Sequence, residues 1–267
     1  MDNKFYIPQE AHLKTAVHSI WQVDRVSSFK TEYIIPKGVV EIIFNFSDEP
    51  IAAAFGTHQH FLARCFINGF NRVPIRIQPP KRQIFFGIQL QPLAAKKLFK
   101  TPAAEFADVP VDLTLIDSGI QSLWHQLAEQ TDFNKRVNIF CKWVESRSFN
   151  WQPREEWMNH FLSDVHQHDL SVKGLAGIIC YSPRQLSRKI FEVTGMNTEE
   201  ALHYKKYLHA VHLMHHSDLM LTAIAYQSCF SDQSHFIKSF RTYTQRTPGE
   251  YSRNKGYVKG HIYENVR

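Results

Sequence analysis

From residue 1 to about 90 the apolar positions come in short β-branched and aromatic runs; beyond that they recur every third or fourth residue. The clearest run is VVEIIFNF, Val39 to Phe46, opened by a Lys37-Gly38 turn, as expected of a buried strand. Phe61 to Phe70, Val73 to Gln78 and Ile84 to Leu90 read as further strands, punctuated by Asn68-Gly69, Pro79-Pro80 and Gly87. Several short strands with such turns predict a barrel or sandwich. Helices are predicted over Pro92 to Lys100, Ile116 to Gln130 and Phe133 to Ser146. The last two carry apolar stripes, Ile120, Leu123, Trp124 and Leu127, then Val137, Phe140, Cys141 and Val144. Such helices either pair subunits or cover the open side of the β-rich part.

The polar stretch SRSFNWQP, Ser146 to Pro153, reads as a link, and a helix over Glu155 to His166 follows it. After that the pattern repeats. Leu175-Ala176 is echoed by Ile224-Ala225, and Cys180-Tyr181-Ser182 by Cys229-Phe230-Ser231, all at an offset of 49. Past a one-residue insertion in the second turn, Leu186 matches Phe236, Arg188 matches Lys238 and Ile190 matches Phe240. Each unit reads as helix, tight turn, second helix. Ser171 caps the first helix of the first unit, and Ser182 with Pro183 opens its second; Ser231 is the expected cap in the second unit. Between the units, Asn197 to His216 predicts one long helix with an Asn197–Glu200 capping box. About 19 residues at 1.5 Å each span roughly 28 Å. That is near the roughly 34 Å turn of B-DNA, so two second helices held this way suit successive major grooves. The pattern is a tandem helix-turn-helix module.

The run IA…F-S-D-Q-S-x-F…F-R…T-P between Ile224 and Pro248 resembles the signature of the AraC/XylS family of bacterial transcription regulators. The resemblance covers roughly the last hundred residues. It implies two recognition helices, about 182–192 and 231–243. It also implies a base-contacting face of Arg184, Gln185, Ser187 and Arg188 on the first and Gln233, Ser234, His235 and Lys238 on the second, with Arg241 on phosphate. The chemistry agrees: arginine donates two bonds to guanine O6 and N7, glutamine pairs with adenine, and phosphate contacts fix position. Where the family's two turns carry glycine this chain has Cys180 and Cys229, and Gln245 replaces a usual glycine before Thr-Pro. If those positions need positive φ, each costs about 1 kcal/mol or more. Lys238 replaces a usual arginine and loses its fork. Phe191 stands where a basic residue is common.

The β-rich half also resembles the N-terminal domain of one AraC-type subgroup, through Pro36 to Phe46 and the segments GFNRVPIRIQ, FFGIQLQPLAAKKLF and AEFADVPVDL. In the wider family such domains sense small molecules or mediate association. Trp21, Glu41, Arg76 and Phe86 are the residues to line a pocket, set against the plainer reading that buried aromatics are core. No effector follows from the sequence.

Charge changes this picture only locally. The chain carries +6 with pI near 9.1, which favours a polyanionic partner, yet beyond residue 154 only 13 Lys/Arg face 11 Asp/Glu. Four cysteines without CxxC spacing argue against a disulfide scaffold or structural zinc and suit a reducing cytoplasm. A signal peptide and a membrane-length apolar run of about 18 residues are both missing from the sequence, so a cytoplasmic protein without membrane contact is expected. P-loop, GxSxG and HExxH motifs are absent, so neither enzyme activity nor a cofactor is expected. Two alternatives compete: a metabolite-binding protein or enzyme working through its N-terminal barrel, and a metal sensor built on His209, His212, His215 and His216.

The expectation is an α+β two-domain regulator. Residues 1–150 form a β-rich effector-sensing or dimerisation domain with flanking helices, residues 151–255 an all-α DNA-binding domain, and residues 256–267 a tail. Its expected partners are double-stranded promoter DNA, RNA polymerase, a small-molecule effector and a second subunit.

Overall fold

The computed structural model describes residues 2–55, 58–147 and 150–265. Residues 148 and 149 of the expected link, and 266 and 267 of the expected tail, lie outside them. The strands are β1 (Asp2–Tyr6), β2 (Val17–Val26), β3 (Phe29–Ile34), β4 (Val40–Asn45), β5 (Ala52–Phe55), β6 (His58–Phe61), β7 (Cys65–Asn68), β8 (Ile75–Gln78), β9 (Arg82–Leu90), β10 (Val111–Asp112) and β11 (His261–Asn265). The helices are α1 (Ala11–Lys14), α2 (Ala94–Phe99), α3 (Gly119–Ala128), α4 (Phe133–Glu145), α5 (Pro153–Ser163), α6 (Val172–Ile179), α7 (Pro183–Thr194), α8 (Thr198–His216), α9 (Leu221–Gln227), α10 (Gln233–Thr244) and α11 (Pro248–Asn254).

The strands form two sheets, β1-β2-β9-β4-β7-β10 and β11-β3-β8-β5-β6. Period-two alternation gives the first sheet two different faces. Ile20, Ile42, Phe44, Phe86 and Ile88 point outward under α3 and α4, where Phe44 meets Phe140 with ring centroids 6.4 Å apart and Phe86 meets Phe133 at 6.2 Å. Trp21, Ile43, Phe66 and Phe85 point the other way, into a second cluster with Ile51, Ile75 and Ile77 from the facing sheet. The register sets Trp21 and Ile43 on either side of Gly87. A Cβ at Gly87 would lie 2.1 Å from the Trp21 indole, so only glycine lets that ring lie flat across the sheet.

The apolar stripes of α3 and α4 are spent on this sheet: Ile120, Leu123, Leu127, Val137, Phe140 and Val144 are all buried. Covering the β-rich part is therefore what these faces do. The expected strand Phe61 to Phe70 is two strands, β6 ending at Phe61 and β7 confined to Cys65–Asn68. Strand β11 pairs antiparallel with β3, so the last described residues belong to the N-terminal sheets.

Helix α8 joins the two halves. Tyr204 donates to the carbonyl of Asn71 at 2.8 Å and Tyr207 to that of Pro36 at 3.0 Å, both hydroxyls being buried and so needing partners. Leu208 packs against the turn glycine Gly38. On its other side the buried Lys205 ammonium donates to the carbonyls of Phe161 and Asp164, satisfying the open C-terminal end of α5. Burial lowers that lysine to about 8.

Candidate nucleic-acid interface and effector cavity

Both repeats fold by the same local rules. In α6 and α9 the buried pairs Leu175-Ala176 and Ile224-Ala225 face the core. Each helix then ends on a left-handed cysteine, Cys180 at φ 55° and Cys229 at φ 57°. The next amide closes the turn, Tyr181 N–H to the Ala176 carbonyl at 3.0 Å and Phe230 N–H to the Ala225 carbonyl at 3.1 Å. After the second helices Gly195 at φ 69° and Gln245 at φ 57° stop each unit in the same way. Thr194 and Thr244 donate back to the Ile190 and Phe240 carbonyls at 2.9 and 2.8 Å. Capping boxes at Asn197–Glu200 and Thr247–Glu250 then open α8 and α11, so the repeat extends over three helices.

All three residues standing in for glycine thus sit in the left-handed region. Gln245 is exposed and holds no side-chain bond among the described residues, so Gln245→Gly removes strain and no contact. It is expected to stabilise the protein by about 0.5–1 kcal/mol in urea unfolding, the relief of αL strain less the greater freedom of glycine in the unfolded chain. Unchanged stability would contradict this.

The insertion in the second turn is Ser231. Ser182 accepts from Gln185 N–H and caps α7 as expected, but in α10 the cap is Asp232, which accepts from His235 N–H at 2.8 Å. Ser231 instead donates toward the Asp232 carboxylate and meets His235 Nδ1 at 3.0 Å. The extra residue shifts the cap by one, which corrects the expectation for Ser231.

Leu186, Ile190, Phe236 and Phe240 anchor the second helices. On their outer faces Arg184, Gln185, Arg188, Gln233, Ser234, Lys238 and Arg241 are exposed, while Ser187 and His235 are half-buried. The side chains of Arg184, Arg188 and Lys238 have no hydrogen-bond or ion-pair partner among the described residues. Gln185 is partly occupied: its Oε1 accepts from both the amide and the hydroxyl of Ser182 at 3.0 Å, leaving the amide donors. The His235 ring leans on Phe230 and His203, with centroids 5.5 and 5.2 Å away. Phe191 on α7 is 56% exposed, and Tyr226 on α9 is 84% exposed.

The cysteines are free thiols, and burial with nearby Asp169 raises that of Cys229. Among the described residues no group of three or more His, Cys, Asp or Glu is arranged to hold a metal, and no helix is long and apolar enough to cross a membrane. The histidines of α8 stack with others instead. His209 lies 3.6 Å from His168 and His212 lies 4.2 Å from His216, centroid to centroid. Burial, then neighbouring histidines and lysines, lowers His209, His212 and His215 to about 4 from an ordinary 6.5. They stay neutral in the fold while the unfolded chain takes up protons, so stability is full above about pH 7 and lost as pH falls toward 4. A lower Tm at pH 5 than at pH 7.5, with the difference reduced in His209→Gln, is expected from calorimetry; equal Tm values would refute it.

Between the sheets lies a cavity of about 570 Å³ that opens toward α5 and α8. Trp21 and Glu41 line it as expected. Phe86 points outward under the helices, and Arg76 is exposed with its guanidinium 5.7 Å from the Tyr33 ring centre. Both are one residue out of phase with the inner face. Trp21 Nε1 donates to Glu41 Oε1 at 2.9 Å and Lys37 Nζ to Glu41 Oε2 at 3.0 Å. Burial raises the Glu41 carboxyl, but Lys37 and the Trp21 bond outweigh it and hold the group below its ordinary value. Lys37, Asn68, Gln83, Lys259 and Tyr263 line the cavity too; the sequence marks Lys37 and Asn68 as turn residues and gives no motif at the other three.

The helix-turn-helix domain family matches residues 175–254, the repeat just described. Over 90 residues the chain is 31% identical to the HTH-type transcriptional activator RhaS of Enterobacter, covering 34% of this chain and 32% of RhaS. The C-terminal repeat is an AraC-type helix-turn-helix domain. An uncharacterised HTH-type transcriptional regulator of Staphylococcus aureus is 33% identical over 89 residues, which is 33% of this chain and 12% of that protein. The chain thus spans a third or less of the length of these relatives. Ahead of the AraC-type domain, residues 5–112 match a domain of unknown function, DUF6597. Among solved structures, ToxT of Vibrio cholerae aligns over 90% of this chain and 97% of its own, at 16% identity and TM-score 0.48. The DNA-binding domain of AdpA, in complex with a target DNA, aligns over 39% of this chain and 92% of its own, at 23% identity and TM-score 0.35.

Proposed function

We propose that this protein is a transcription regulator that binds promoter DNA in the cytoplasm, with α7 and α10 as its two recognition helices. The observation that carries the reading is the pair Arg188 and Lys238. Both are exposed and free of partners among the described residues, at the same point of the two units of an AraC-type domain. Arg184 and Arg188 read guanine edges, and Gln185 offers its amide donors to a neighbouring base. Ser187, Gln233, Ser234 and His235 complete the faces, and Arg241 holds phosphate. The barrel cavity holds a small-molecule effector, and RNA polymerase and a second subunit are the protein partners. The relatives named transcriptional activators support activation as the direction.

Anisotropy of a labelled promoter duplex, titrated with full-length protein in excess competitor DNA, tests the reading. A specific duplex that survives competition supports it. Equal, steeply salt-dependent binding to every duplex would leave only phosphate attraction and overturn it.

A further inference from the structure

The cavity is closed by the far end of the chain. Val258, Lys259, His261 and Tyr263 form part of its wall, in the segment that follows α11 and runs into β11. Along the wall, Gln83 Nε2 and Asn68 Oδ1 are buried without a hydrogen-bond partner, and Gln83 is only 1% exposed. Buried polar atoms are ordinarily paired, so two orphans around one cavity point to a ligand that pairs them.

Charge says which kind. Both carboxylates on the wall are occupied, Glu41 by Lys37 and Trp21, and Glu32 by His261 at 2.5 Å. Lys259 has no acidic partner among the described residues. Its neighbours are cationic or titrate to cations: Lys37, whose side chain lies against Gly260, and His212 and His215 on α8, both of which feel its charge. Burial and then Lys37 hold Lys259 below the ordinary lysine range. Lys4, His18, Gln22, Arg25 and Gln89 also line the cavity, and Trp21, Ile43, Phe66, Ile75, Ile77 and Phe85 give it an apolar side.

We propose that the cavity binds an organic anion with an apolar body, its charge seated at Lys259 beside Lys37 and its body against the Trp21 and Phe85 wall. The inference rests on the regulator reading and names the class of its effector. Because Lys259 lies between α11 and β11, the anion binds the barrel and the segment leaving the second recognition unit at once. Its charge pairs the Lys259 ammonium at that joint, and its polar atoms pair the orphans.

The probe pair is anilinonaphthalene sulfonate and phenyl-naphthylamine, one apolar body with and without an anionic group, titrated by fluorescence into the full chain. The sulfonate is expected to bind about tenfold more tightly, the effect of one partly buried ion pair. Lys259→Met should remove that preference and leave the neutral probe unchanged, and Lys259→Arg should keep it. Lys259 has no acidic partner to lose, so the variants are expected to fold, which far-UV circular dichroism checks. Equal affinity for the two probes, or full sulfonate preference in Lys259→Met, overturns the proposal. Duplex binding by the same preparations separates the two readings. Absent sulfonate preference with intact DNA binding sinks the anion site alone, and a sulfonate site in a protein that binds no duplex sinks the regulator reading alone.

Discussion

Arg188→Ala is expected to weaken binding to a specific duplex by about 10- to 100-fold, the loss of one bidentate base contact worth about 1–3 kcal/mol. The fold contributes nothing to that loss. Arg188 is exposed on α7 and has no hydrogen-bond or ion-pair partner among the described residues, so its removal leaves no buried group unpaired. Leu186 and Ile190, on the opposite face, keep the helix in place. Lys238→Ala should cost less, because an ammonium offers a point charge where a guanidinium offers a planar fork. Anisotropy at one fixed ionic strength reads both. Wild-type affinity in Arg188→Ala would remove base reading from α7.

Phe240→Ala carries the largest expected loss of stability, about 3–5 kcal/mol. The ring is fully buried and lies 5.8 Å from Phe236, 5.6 Å from Tyr207 and 5.5 Å from Tyr251, centroid to centroid. It therefore ties α10 to both α8 and α11. Tyr207 in turn donates to the Pro36 carbonyl, so the cavity left by Phe240 opens where the second unit meets the rest of the protein. Urea unfolding should show the loss, and specific binding should fall with it. A cost below about 1 kcal/mol would mean that this packing is not what holds the second unit.

Much of the C-terminal half was readable because its rules are local. Apolar spacing and the Ser171, Ser182 and Asn197 caps each involve residues within one or two turns of helix, and the repeat at an offset of 49 shows the same local pattern twice. The cap at Asp232 escaped because an inserted residue leaves two adjacent side chains able to cap, and only the helix start decides between them. The left-handed backbone at Cys180, Cys229 and Gln245 was legible through the missing glycines and in no other way.

The N-terminal half was harder for physical reasons. Arg76 and Phe86 looked suited to a pocket, but one step along a strand reverses the face, and no turn near them sets the phase. β11 pairs with β3 from the other end of the chain, and a pairing at that separation leaves no periodicity to read. The residues that give the cavity its character, Gln83, Lys259 and Tyr263 among them, are ordinary in sequence and become a site only through that pairing.

Two readers held by one helix are the core of the proposed mechanism, and selection from random-sequence duplex DNA measures them directly. The full chain should enrich a bipartite site whose halves lie about one helical turn apart. Arg188→Ala should relax only one half and Lys238→Ala only the other. A single undivided site relaxed alike by both substitutions, or no enrichment at all, would contradict it.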